Sequence, residues 1–248
     1  MNKSTKFLIA ILLIAVIFLS IAAGCFFLSR AGGQPAEPAS SCTVSSAQTE
    51  SAEGTGNGNS SKSGADAVEL EGGVTGLRCS VQLGTLNIVE GEAFHVSAGN
   101  GSDYEAYIEN GTYIVNGSRT YDNHIVVTVP KEFQFETVEL VAAGGALTAE
   151  NLNTQNLYTN CNRGTINYSG SASAGAEIQQ LQGKTVLTMD GRQADYNYSL
   201  DLDLGHIGIG DQEYAGPHQD QSIDNSAEKT IDASCTMGSI RILFSQAS

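Results

Sequence analysis

Residues 145–168 read GALTAENLNTQNLYTNCNRGTINY, and their plan recurs along the chain. The unit is a glycine, any residue, an aliphatic residue, any residue, and a second inward candidate. It occurs as Gly145-Ala-Leu-Thr-Ala149 and Gly164-Thr-Ile-Asn-Tyr168. It returns as Gly84-Thr-Leu-Asn-Ile88, Gly205-His-Ile-Gly-Ile209 and Gly238-Ser-Ile-Arg-Ile242. A looser copy starts at Gly183, with its aliphatic residue, Val186, displaced by one place. Gly145, Gly164 and Gly183 are 19 residues apart, and Gly205 follows after 22. Alternating runs such as SVQL, VELV and SLDLDL precede the glycines.

A fixed period near 20 signals stacked repeats. Glycine turns a corner without a Cβ penalty, and the next strand points alternate residues inward. One such coil cannot bury its own apolar row, but stacked coils share one. The expectation is an all-β, single-stranded parallel β-helix, a solenoid-like repeat domain. A β-sandwich is the alternative, since many short strands with regular turns predict that too.

The gaps in the repeat have their own content. Between Gly84 and Gly145, Asn110-Gly111 and Asn116-Gly117 flank TYIV, so Tyr104–Val115 reads as a hairpin. The run His124-Ile-Val-Val-Thr-Val129 is a β-branched strand ended by Pro130. Between Gly205 and Gly238, DQEYAGPHQDQSIDNSAEKT reads as a polar loop.

Before residue 67 the pattern stops. Residues 29–66 form a Ser/Gly-rich linker, and within 31–66 Val44 is the one large aliphatic residue. Such a stretch cannot bury a core and reads as a disordered tether, with a reach of roughly 30–36 Å. Upstream, Phe7 to Leu28 carries no charge over 22 residues. As a helix it spans roughly 33 Å, enough to cross a bilayer core. It reads as an uncleaved transmembrane anchor, a cleaved signal, or a lipoprotein signal. The last reading rests on Ile21-Ala-Ala-Gly-Cys25, which resembles a lipobox, although Phe26, Phe27 and Leu28 continue the apolar run. Lys3 and Lys6 precede the span, which keeps residues 1–6 in the cytoplasm and places 67–248 outside the cell membrane.

The whole chain has 248 residues, 12 basic and 27 acidic, for a formal net charge of −15. An acidic surface of this kind excludes nucleic acid as a partner. The low charged fraction, 16%, excludes coiled coils and charged helical arrays.

The anchor, the Ser/Gly linker, the strand Val127-Thr-Val129-Pro130 and the G-x-[LIV]-x-[IVY] units together resemble the putative-adhesin β-strand-repeat domains of Gram-positive bacteria. That is a domain family of unknown function, and the resemblance covers about residues 67–245. It implies a right-handed parallel β-helix-like fold at the cell surface, and it supplies no binding residues to carry over.

Few residues suggest chemistry. Cys42, Cys79, Cys161 and Cys235 form no CxxC pair, which excludes zinc ribbons and thioredoxin-type motifs. They read as two disulfides, or Cys79, Cys161 and Cys235 read as small, half-buried strand residues before repeat glycines, with Cys42 in the linker free to cross-link chains. His95, His124, His206 and His218 lie far apart, without metal-ligand spacing, and His206 reads as solvent-facing. Asp201 and Asp203 alternate with Leu200, Leu202 and Leu204, which predicts two carboxylates on one strand face, about 6–7 Å apart. That spacing suits acid/base work or Ca²⁺, with Asp211 and Glu213 as further ligands and Arg192 as the nearest base. A solvated acidic face is the competing reading. The expectation is therefore no enzyme, no catalytic, cofactor or metal residues, and a binding module for a cell-wall glycan or a surface or membrane protein. The alternatives are a polysaccharide lyase-like enzyme using Asp201 and Asp203, or an envelope-stress signalling accessory.

Overall fold

The computed structural model describes residues 73–118 and 123–246. The readings placed on residues 1–72, including the span, the Cys25 site and the linker, lie outside the described residues. The described residues all belong to one compact unit.

Sixteen strands occupy the described residues. The first six are β1 (Gly76–Val81), β2 (Thr85–Gly91), β3 (His95–Ala98), β4 (Tyr104–Glu109), β5 (Thr112–Gly117) and β6 (His124–Pro130). Next come β7 (Gln134–Ala142), the long β8 (Ala146–Cys161) and β9 (Thr165–Gln180), and β10 (Lys184–Met189). A short 3-10 turn, Gln193–Asp195, leads into β11 (Tyr196–Leu202). The remainder are β12 (His206–Ile209), β13 (Gln212–Ala215), β14 (Gln219–Ile223), β15 (Lys229–Cys235) and β16 (Ser239–Phe244).

The pairing is that of stacked coils, each a strand on a first face, a glycine corner and a strand on a second face. The first face runs β4, β5, β1, β7, the second half of β8, the second half of β9, β15, β11, β14. The second face runs β3, β6, β2, the first half of β8, the first half of β9, β10, β16, β12, β13. Every pair is parallel except those made by β3, β4, β13 and β14, which add antiparallel strands at the two ends. The solenoid reading therefore holds, with two strands per coil. The hairpin is present too: β4 and β5 meet through Asn110 and Gly111, both at positive φ.

Seven coils result, and their order in space differs from their order in the chain. From one end they are β5–β6, β1–β2, β7–β8, β8–β9, β9–β10, β15–β16 and β11–β12. The long β8 and β9 serve two coils each, turning between faces at register shifts near Ala149–Leu152 and Thr154–Asn156. The excursions that produce the swapped ends are the stretches whose sequence reads as one hairpin and one polar loop.

The repeat glycines stack into one column. Backbone bonds run from Ala146 N to Gly84 O, Thr165 N to Gly145 O, Lys184 N to Gly164 O, Ser239 N to Gly183 O and His206 N to Gly238 O. A Cβ on Gly145 would sit 2.7 Å from the Gly84 carbonyl oxygen, and one on Gly205 would sit 2.8 Å from that of Gly238. Close approach of successive coils is thus what demands glycine. Among the repeat glycines only Gly84 has positive φ. The end coil uses Asn123 instead, because no coil lies above it. Asn123 is buried; its Oδ1 accepts from Asp103 N at 2.7 Å and its Nδ2 donates to Ser118 O at 2.9 Å.

The inward rows of both faces merge into one apolar core. The first place after the corner holds Leu86, Ile125, Leu147, Ile166, Ile240 and Ile207, all fully buried. In the fifth coil that place is taken by Thr185, while Val186 points outward, so the repeat is in register there rather than displaced. The buried Thr185 hydroxyl donates to Gln180 Oε1 at 2.6 Å, and Gln180 Nε2 donates to Cys161 O at 3.1 Å. Removing one partner leaves a buried polar atom unpaired. Gln180→Leu and Thr185→Val should each cost about 2 kcal/mol, and the double variant about 1 kcal/mol less than their sum. Urea unfolding of the four proteins measures both quantities.

Cys79, Cys161 and Cys235 are free thiols and fully buried rather than half-buried. Cys161 and Cys235 share a column with Gln180 between them. That places them two strand spacings apart, about 9–10 Å, beyond disulfide reach.

Candidate binding faces

Each face offers only side chains, because its backbone groups are taken by the ladders. Register sorts those side chains into columns. On the first face one outward column reads Tyr107, Ile114, Arg78, Glu139, Tyr158, Glu177, Asp232, Ser199, Ser222. The next reads Glu105, Asn116, Ser80, Val141, Asn160, Gln179, Ser234, Asp201, Asp220. Arg78 pairs with Glu139 at 3.2 Å. Glu177 and Asp232 are like-charged register neighbours, as are Asp201 and Asp220, which disfavours the face electrostatically. Exposed Tyr158 stands between Glu139 and Glu177. Beside it Asn160 donates to Gln179 at 3.1 Å, and Gln179 donates to Glu177 at 2.9 Å.

The second face has different chemistry. Its outward columns read His124, Thr85, Ala146, Thr165, Lys184, Ser239, His206 and Val126, Asn87, Thr148, Asn167, Val186, Arg241, Gly208. Four of these fourteen side chains carry a hydroxyl, two an amide, two an imidazole and two a permanent cation, and the other four are Ala, Val or Gly. On β13 the second column continues into Glu213, the register neighbour of Gly208, which is engaged by Arg241 and, at 2.5 Å, by His206 Nε2, and Glu150 of β8 is a further exposed carboxylate two residues after Thr148. Arg241 also donates to Gly210 O at 2.9 Å. This segregation of charge is absent from the sequence expectations above. Its signal is present in the letters: the outward residues before the repeat glycine include Glu139, Glu177, Asp201 and Asp232, whereas those after it include Thr85, Asn87, Thr165, Asn167, Lys184 and Arg241.

Asp201 lies on the outward first face, and although β11 ends at Leu202 the ladder runs on through Asp203, whose N–H donates to Cys235 O at 3.1 Å. The Asp203 Oδ1 lies 2.9 Å from His218 Nδ1, and the Asp203 carbonyl accepts from His218 N at 2.8 Å. Asp203 thus faces His218 across the ladder as Asp201 faces Asp220, on the same outward side of the strand, while Asp211 lies in the turn of the second-face hairpin β12–β13 and Glu213 lies on β13. Arg192 is occupied by Asp195, whose carboxyl is held below the ordinary range first by the Arg192 backbone N–H and then by its side chain. His206 is half-buried and paired rather than simply solvent-facing. His95 lies on β3 and His124 at the start of β6, its Nδ1 3.0 Å from Thr85 Oγ1. Among the described residues no group of three or more His, Cys, Asp or Glu is placed to hold a metal ion.

These features define a class: an all-β domain of stacked parallel coils with two extended faces of unlike charge. No protein-family model matches the chain, and no curated protein matches it. Two solved structures are similar to it in backbone. One is a putative cell adhesion protein from Clostridium sporogenes, at TM-score 0.43 and 10% identity, covering 76% of this chain and 100% of that one. The other is a putative adhesin from Bacteroides fragilis, at TM-score 0.32 and 12% identity, covering 67% of this chain and 91% of that one. Neither likeness is close enough to carry a function across.

Proposed function

We propose that the chain is a non-enzymatic adhesin-type module of the cell exterior, tethered to the membrane through Phe7–Leu28, that binds a cell-wall glycan across its second face. The observation that supports this reading is the charge segregation. An anionic wall polymer is repelled by the carboxylates of the first face, which leaves the second face, with Lys184 and Arg241, to accept it. There, Thr85, Asn87, Thr148, Thr165 and Asn167 present donors and acceptors in register, one strand spacing apart. Thr and Asn are short, so little rotamer entropy is lost when they bind.

Co-sedimentation of the full chain in detergent with purified insoluble cell wall tests the proposal. Asn167→Ala and Asn87→Ala together should weaken the association about tenfold, the loss of roughly one net hydrogen bond. Glu177→Ala on the first face should leave it unchanged or strengthen it. Retention that follows the first-face variant instead, or no retention at any salt concentration, would sink the assignment. Mass spectrometry of the same protein, taken from cell membranes, reads whether its N-terminus is Met1 or a lipidated Cys25.

A further inference from the structure

We propose that the domain is built to resist peeling from either end. The observation is where the terminal strands lie. In a solenoid laid down in chain order, the first and last coils are the end coils, each held by one ladder. A pulled end then peels, breaking a few bonds at a time.

Here both terminal coils are buried one place in. β1 is paired residue for residue over Gly76–Val81 with Thr112–Gly117 on one side and Thr137–Ala142 on the other. β2 lies between β6 and β8. At the other end β16 lies between β10 and β12, and β15 between β9 and β11. A load on either terminus therefore meets two ladders that have to break together. The outer coils cannot leave first, because each is joined to the stack at both of its own ends. The chain enters the β5–β6 coil from β4 and leaves it for β7, and it enters the β11–β12 coil from β10 and leaves it through β13 and β14 for β15.

The excursions that bury the termini are themselves pinned. Phe94, in the segment leaving β2, makes edge-on ring contacts with Tyr113 of β5 at 5.6 Å, Phe133 at 5.1 Å and Phe135 of β7 at 6.2 Å. At the far end Glu213 of β13 holds both His206 and Arg241, and His218, in the β13–β14 turn, holds Asp203. The same excursions supply the antiparallel strands that cover the sheet edges. A load-bearing role rests on the tethered-binding reading, because a tethered binder transmits force from its partner to the membrane. The lock rests on topology alone.

Single-molecule pulling of the full chain by tags at its two termini tests the lock without any ligand. The domain should rupture in one event releasing roughly 500–600 Å of chain, at about 3.4 Å per residue. A staircase of steps of roughly 65–75 Å, one 19–22-residue coil at a time, would overturn the proposal. Native-state hydrogen exchange gives a second reading. Amides of β1 and β16 should exchange within about tenfold of those of β8 and β9, with β3, β4, β13 and β14 about a hundredfold faster. Fastest exchange in β1 or β16 would equally overturn it.

Discussion

Valine in place of Gly164 abolishes the folded domain under conditions where the native chain is stable. Gly164 lies in the fourth of seven coils, with stacked coils on both sides. A Cβ there would collide with the Gly145 carbonyl oxygen and meet the Ala142 Cβ at 3.0 Å. The first of these contacts is with backbone, which has no rotamer to yield. That carbonyl also accepts the hydrogen bond from Thr165 N, so the clash falls on the ladder that joins the two coils. Overpacking of this kind, combined with loss of a buried backbone bond, belongs to the severe end of single substitutions, about 4 kcal/mol or more. The result should be loss of the cooperative thermal transition in circular dichroism. Gly73→Ala is the control, because a Cβ there meets nothing within 4 Å. It should shift stability by less than about 0.5 kcal/mol. A Gly164→Val chain that melts like the parent would show that the coils are not held at the observed approach.

The repeat is legible because two physical constraints write themselves into single positions. Close approach of the coils requires glycine, and inward rows require alternation, so Gly145-Ala-Leu-Thr-Ala149 and its copies stand out by inspection. Where one constraint is met by other means, the motif fades. Thr185 fills an aliphatic place because Gln180, sixteen residues after Gly164, satisfies its hydroxyl from across the coil. Asn123 fills a glycine place because the stack ends there. Neither substitution is visible to a pattern that expects glycine and aliphatic residues. The swapped coil order is illegible for a different reason. It depends on which strands meet, and parallel ladders carry no sequence mark of their neighbour. The faces fall between these cases. Their columns follow from the repeat once the strands are in register, but their sorting by charge emerges only when outward positions before and after the glycine are collected separately.

Alkaline pH should unfold the domain, and the reason lies in its core phenols and thiols. Burial raises Tyr196 from its ordinary value of 10.0 to about 12. It pushes Tyr113, Tyr168 and Tyr198 up as well, and Cys79 and Cys235 up from an ordinary 9.0. In every case desolvation of the charged form is the first cause. The unfolded chain releases these protons near pH 9 and 10, while the folded chain retains them. Above pH 9 the native state therefore binds more protons than the unfolded state, and stability falls as pH rises. The stabilising effect is fully present below pH 9. It begins to go with the cysteines and goes more steeply above pH 10 as the tyrosines join. The melting temperature should be level from pH 7 to 8 and fall progressively beyond 9. Tyrosinate absorbance from the core should appear together with loss of the β circular dichroism. Tyr113 supplies the decisive variant. Its buried hydroxyl has no hydrogen-bond partner, whereas those of Tyr168, Tyr196 and Tyr198 donate to backbone carbonyls. Tyr113→Phe should therefore leave stability at pH 7 within about 0.5 kcal/mol of the parent, or raise it, because it removes an unsatisfied group. It should also move the alkaline midpoint upward, since one proton fewer favours unfolding. A midpoint that does not move would show that Tyr113 stays protonated in the unfolded chain or ionises in place, either of which removes it from the linkage.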